Sequence, residues 1–115
     1  MKDTAATLPG IERIQQRFLG LLEERQTNIA HHLLAAWDCT DPQDTVTDLE
    51  AVQGILHQIA GSAGTLGFHE LGQSARDGEN AIIAHLADPS SKLISVMGKV
   101  DGFVAQGQAL ISSRL

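Results

Sequence analysis

From Ile11 to Ile111 the apolar residues of this chain return every three or four positions, and no alternating apolar pattern runs longer than chance. A period near 3.6 gathers apolar residues on one face of an α-helix, whereas a half-buried strand needs a period of two. The sequence therefore predicts an all-α fold. At 115 residues it suits one domain, able to bury roughly 65% of its unfolded surface in a single core. Four stretches carry the pattern. The first runs through Ile11, Ile14, Phe18, Leu21, Leu22, Ile29, Leu33, Ala36 and Trp37, as one long helix or two end to end with a break near Gly20 or Glu24. Pro9 suits its first turn, and Trp37 is expected to pack at the end of the molecule. Cys39 to Thr45 reads as a loop. Thr47-Asp48-Leu49-Glu50 fits a capping box, in which the hydroxyl accepts from the third amide and the glutamate reaches back. The helix it opens should end near Gly67, where glycine tolerates a left-handed cap. Phe68, Leu71, Ala75, Ile82 and Leu86 mark a third helix. Asp88-Pro89-Ser90-Ser91 is a turn whose serines can cap a fourth, which carries Leu93, Val96, Met97, Val100, Phe103, Leu110 and Ile111. Short connections make sequential helices antiparallel. The expected architecture is an up-down four-helix bundle with an N-terminal helical extension over residues 9–115, preceded by a flexible tail at residues 1–8.

Charge and composition narrow the function. A net charge of −6 repels phosphate backbones, and aromatic residues make up only 3% of the chain, so nucleic-acid binding is disfavoured. No run of eighteen apolar residues and no basic, apolar leader occurs, which argues against membrane insertion or secretion. Cys39 is the single cysteine, so no internal disulfide forms, as suits a reducing cytoplasm. Met1 and the short tail read as a free-standing protein, expected to be a monomer.

The second helical stretch contains an anomaly. Val52, Leu56, Ile59, Ala63 and Leu66 form its buried line, and His57 lies beside it. The neighbours of His57 at i−3, i+3, i+4 and i+7 are Gly54, Ala60, Gly61 and Gly64, which share its patch of helix surface. Each glycine inside a helix costs roughly 1 kcal/mol against alanine. An imidazole raised above a surface without side chains implies that something large approaches it closely. A plainer explanation is that Gly61 and Gly64 let two helices pack tightly, which leaves the central histidine unexplained and predicts that it is covered.

His57-x-Ile59-x-Gly61-Ser62-Ala63-x-x-Leu66-Gly67-x-x-x-Leu71, followed by Ala75-x-x-Gly78-Glu79, resembles the signature of histidine-containing phosphotransfer (HPt) domains. The motif covers about a fifth of the chain, and the bundle pattern most of the rest. The resemblance implies a phosphoryl carrier rather than an enzyme: His57 takes the group from the aspartate of one receiver domain, often on a hybrid sensor histidine kinase, and passes it to another. Such transfer needs an exposed nucleophile held in line with an acyl phosphate, and positioning supplies most of the rate. An ordinary imidazole has a free lone pair at cell pH. No cofactor is implied for this chain, because the receiver brings the acceptor aspartate, a lysine and Mg²⁺. Gly54, Ala60, Gly61 and Gly64 would form the docking surface. Glu79 would accept Nδ1–H and leave Nε2 as the nucleophile. Gln58 and Gln53 would hydrogen-bond the phosphoryl oxygens.

Two positions depart from the family pattern. HPt domains commonly carry a lysine three residues after the histidine, where this chain has Ala60, and an apolar residue where it has Gly78. The lysine would offset the charge of phosphohistidine, and Arg76 and Lys92 are the candidates to replace it. Two other readings follow: an HPt-like module that binds a receiver or kinase without transferring phosphate, and a structural bundle with no signalling role. Other motifs are absent. His31 and His32 point about 100° apart on a helix, no His-Glu-x-x-His occurs, and Asp38 to Asp48 lacks the glycine and final glutamate of a calcium loop, so no metal site is expected. His69 and His85 read as surface residues. Gly61-Ser62-Ala63-Gly64 follows no strand and is neither a nucleophile elbow nor a phosphate loop.

Overall fold

The computed structural model describes residues 10–113. Four helices fill that span: α1 (Ile11–Asp38), α2 (Pro42–Ala63), α3 (His69–Ala87) and α4 (Leu93–Ser113), with no strand among the described residues. Each packs on its sequence neighbour and α4 returns to α1, while no Cα atoms of the diagonal pairs α1/α3 and α2/α4 come within 8 Å of each other, as an up-down bundle requires. The expected tail at residues 1–8 lies outside the described residues. α1 is one unbroken helix of 28 residues, longer than its partners. Its first turns pack at the end of the bundle, where Gln15 Nε2 donates to Leu66 O at 2.8 Å and the Phe18 ring stacks on Phe68 at 5.3 Å. The α2–α3 turn is thereby fastened to α1.

The core is built from Leu22 and Ile29 of α1, Leu49, Leu56 and Ile59 of α2, Leu71 and Ile82 of α3, and Val100 and Phe103 of α4, each at most 1% exposed. Burying one such side chain stabilises the fold by roughly 2 kcal/mol. Gln26 interrupts the apolar line of α1. It is 2% exposed, and its Nε2 donates to Val104 O at 2.8 Å. Gly107 makes room for it: a Cβ there would lie 2.7 Å from Gln26 Nε2.

Several expectations are corrected. α2 begins at Pro42, not Thr47, because Asp41 Oδ1 accepts from Gln43 N at 2.9 Å and proline is preorganised for the first turn. Part of the expected loop Cys39–Thr45 is therefore helix, and Thr47 Oγ1 donates back to Gln43 O at 3.0 Å instead of capping. Regular helix ends at Ala63, and a turn continues to Gly67, whose φ of 92° is left-handed as expected. The serines do not cap α4. Ser90 Oγ donates to Asp88 Oδ1 and Ser91 Oγ to Asp88 O, so the turn closes on itself. Trp37 is 53% exposed, not packed, and Ile14 and Leu21 are also exposed. The buried line of α1 passes through Leu33 and Ala36, and Trp37 stands about 100° round the axis from Ala36.

Candidate functional site

Leu56 points into the core of the bundle, so the next residue, His57, emerges about 100° round α2, at its edge with α3. Its side chain is 75% exposed. The facing side of α3 is made of small residues. A Cβ on Gly72 would lie 3.3 Å from Gly64 N, and one on Gly78 would lie 3.2 Å from Leu56 Cδ1. These contacts bring α3 close enough for a short carboxylate to reach across. Glu79 Oε2 lies 2.9 Å from His57 Nδ1 and 3.3 Å from Gln53 Nε2. The carboxylate is mostly covered, with 11% of its side chain exposed. An ionised carboxylate can only accept, so the ring proton belongs on Nδ1 and the lone pair on Nε2. The exposed ring thus offers a nucleophilic nitrogen whose opposite edge is anchored to α3.

The glycines around His57 differ from those that pack. Gly54 and Gly61 are exposed and Gly64 is half-buried, and a Cβ at any of the three would meet nothing within 4 Å. Helix packing therefore accounts for Gly72, Gly78 and Gly107, but not for Gly54, Gly61 or Gly64. The covered histidine expected of a purely structural bundle is not found. Gly78 holds open the space that Leu56 fills, which explains its departure from an apolar residue.

Two expected site residues are placed differently. Ala60, expected on the exposed patch, is 8% exposed and belongs to the core cluster, with its carbonyl beside Gly72. At i+3 from His57 it turns toward the α2–α3 seam. Gln53, expected to serve the phosphoryl oxygens, has its amide on Glu79, at the Nδ1 edge of the ring. Spacing held the clue, since Gln53 is at i−4 and shares the histidine's face. Gln58 is exposed, and its side chain bonds none of the described residues.

The remaining histidines lie elsewhere. His32 Nδ1 pairs with Asp48 Oδ1 at 2.8 Å, with the ring of His31 edge-on to it; His85 Nδ1 bonds Ser91 Oγ at 2.7 Å; His69 is exposed. Among the described residues no group of three or more His, Cys, Asp or Glu could hold a metal ion, and no helix is long and apolar enough to cross a membrane. Two grooves of about 440 Å³, one by the α2–α3 turn and one between α1 and α4, leave out His57. The histidine stands on open surface, accessible to another macromolecule.

A family model described as the Hpt domain matches residues 13–106, which include every element that meets His57. No curated protein and no solved structure matches the chain.

Proposed function

The chain belongs to the Hpt domain family, and on that premise we propose that it carries a phosphoryl group on His57 between receiver-domain aspartates of a two-component phosphorelay. The observation that carries this reading is an imidazole 75% exposed, bonded through Nδ1 to Glu79 at 2.9 Å and ringed by glycines with open space before them.

Nε2 attacks the phosphorus of an aspartyl phosphate in line with the leaving oxygen. The nitrogen–phosphorus bond forms, the acyl oxygen–phosphorus bond breaks, and the electron pair leaves on the aspartate carboxylate. The ring becomes cationic, and Glu79 faces the Nδ1–H that carries that charge. The reverse sequence delivers the group to a second aspartate. Both directions need the receiver's acidic pocket within bonding distance of Nε2, and Gly54, Gly61 and Gly64 supply the clearance. Exposed Gln58 is the remaining amide free to donate to the phosphoryl oxygens. The chain needs no cofactor of its own, Mg²⁺ entering with the receiver. The partners are response-regulator receiver domains and a hybrid sensor kinase. The protein works as a cytoplasmic monomer, a phosphoryl carrier rather than a catalyst.

Incubation with a phosphorylated receiver should place acid-labile label on the protein, and His57→Gln should abolish it with helicity unchanged. Ala60 favours one second reading, an HPt-like module that binds a receiver or kinase without transferring phosphate. Complex formation with no label would establish that alternative.

A further inference from the structure

The register of α3 against α2 puts one cation, Arg76, on the stretch of α3 between its contacts with Gly64 and with His57. Gly72 abuts Gly64 and the Ala60 carbonyl, and seven residues on, Glu79 meets His57 and Gln53. Arg76 falls between these two contacts, level with Ala60. It stands about 60° round the axis from Glu79, on the solvent side of the line through Gly72 and Glu79. It is exposed, and its guanidinium makes no hydrogen bond or ion pair with any described residue. Lys92 is excluded by distance. It follows the Asp88 turn and lines the α3–α4 groove with Lys99 and His85, and Asp88 alone is roughly 13 Å along α3 from Glu79.

We propose that Arg76 supplies, from α3, the positive charge that faces the phosphoryl group on His57. The assignment rests on the phosphocarrier reading. The chemistry suits the position. Phosphorylated His57 would place a dianion beside Glu79, a carboxylate held fast on the Nδ1 edge, so an opposing cation is needed on the exposed side. A guanidinium always carries its charge, binds two phosphoryl oxygens at once and is weakly hydrated. Its long stem can lie over the small residues of the seam and keep the head in solvent. Before transfer, the same charge draws in the acidic pocket of a receiver.

The test uses the whole protein, labelled chemically with phosphoramidate so that no partner is required, and followed by ³¹P NMR. A nearby cation favours the phosphoryl dianion. Arg76→Ala should therefore raise the phosphoryl titration midpoint by about 0.3 unit. It should also slow transfer from a phosphorylated receiver about fivefold at low salt, with a smaller loss at high salt where the charge is screened. Arg76→Lys should recover most of both effects, and adding Ala60→Lys to Arg76→Ala should restore them from the other helix. Labelled Arg76→Ala with an unchanged ³¹P midpoint and unchanged transfer would overturn the arginine assignment alone. If His57 takes no label in any variant, the phosphocarrier reading fails and the assignment falls with it.

Discussion

Glu79 keeps only 11% of its side chain in solvent, whereas His57, bonded to it at 2.9 Å, keeps 75%. The two bonded side chains stand in different surroundings. One member is fixed in the α2–α3 seam, and the other projects from it. Gln53 steadies the fixed member by donating to the same oxygen.

Replacing Glu79 by alanine should therefore disturb the ring without exposing it further. Without its acceptor, Nδ1–H loses its advantage and both tautomers become populated. Nitrogen shifts of His57 in ¹⁵N-labelled protein should move away from those of a single Nδ1–H tautomer. Transfer should slow about tenfold, equivalent to about 1.4 kcal/mol. A single unchanged tautomer in Glu79→Ala would show that the carboxylate does not orient the ring.

Alanine at Gly61 and at Gly107 should change stability in opposite directions. A Cβ at Gly61 meets nothing within 4 Å, so Gly61→Ala should stabilise the helix by about 0.5–1 kcal/mol. A Cβ at Gly107 would lie 2.7–2.8 Å from the Gln26 amide, which is itself buried and bonded to Val104 O. Gly107→Ala should destabilise by about 1–3 kcal/mol through overpacking. Urea unfolding of both variants gives the comparison, and the same sign for both would contradict it.

A long side chain at Gly61 should leave the fold intact and obstruct the partner. Gly61→Arg is expected to unfold at or above the wild-type midpoint while transfer from a phosphorylated receiver falls at least tenfold. Wild-type transfer by a correctly folded Gly61→Arg would remove the steric account of the glycines.

The α3–α4 turn should respond to acid. The Ser90 hydroxyl, and then the Ser90 amide, hold the Asp88 carboxyl below its ordinary value, with a small contribution from His85, against a slight desolvation effect. A carboxyl lowered in the folded state contributes stability above its unfolded value, and that contribution is lost as pH falls through the folded one. The turn should thus keep its hydrogen bonds through the mildly acidic range and lose them only below the usual carboxylate titration. Carboxyl ¹³C titration should show Asp88 moving up toward an ordinary aspartate in Ser90→Ala.

Periodicity, readable along the chain, was enough to determine four helices, an up-down bundle and His57 beside the buried line of its helix. Glu79 as its partner followed only from the resemblance to HPt domains, and the packing of α3 on α2 supplied the contact. Apolar spacing assigns a residue to a face, and a short connection leaves the next helix one way to return. What stands opposite a given face depends on interhelical register, and only the tertiary structure decided that. It separated glycines that pack, at 72, 78 and 107, from those at 54, 61 and 64 that open onto space. It drew Ala60 into the seam and turned Gln53 to Glu79. It left Trp37 in solvent, since a residue one step beyond a buried line can rotate out of the core without changing the pattern. It started α2 at Pro42, where the Asp41 cap prevailed over the one expected at Thr47, six residues on. A linear pattern records which residues are apolar or small; the distance from each to the neighbouring helix is set when the four helices pack.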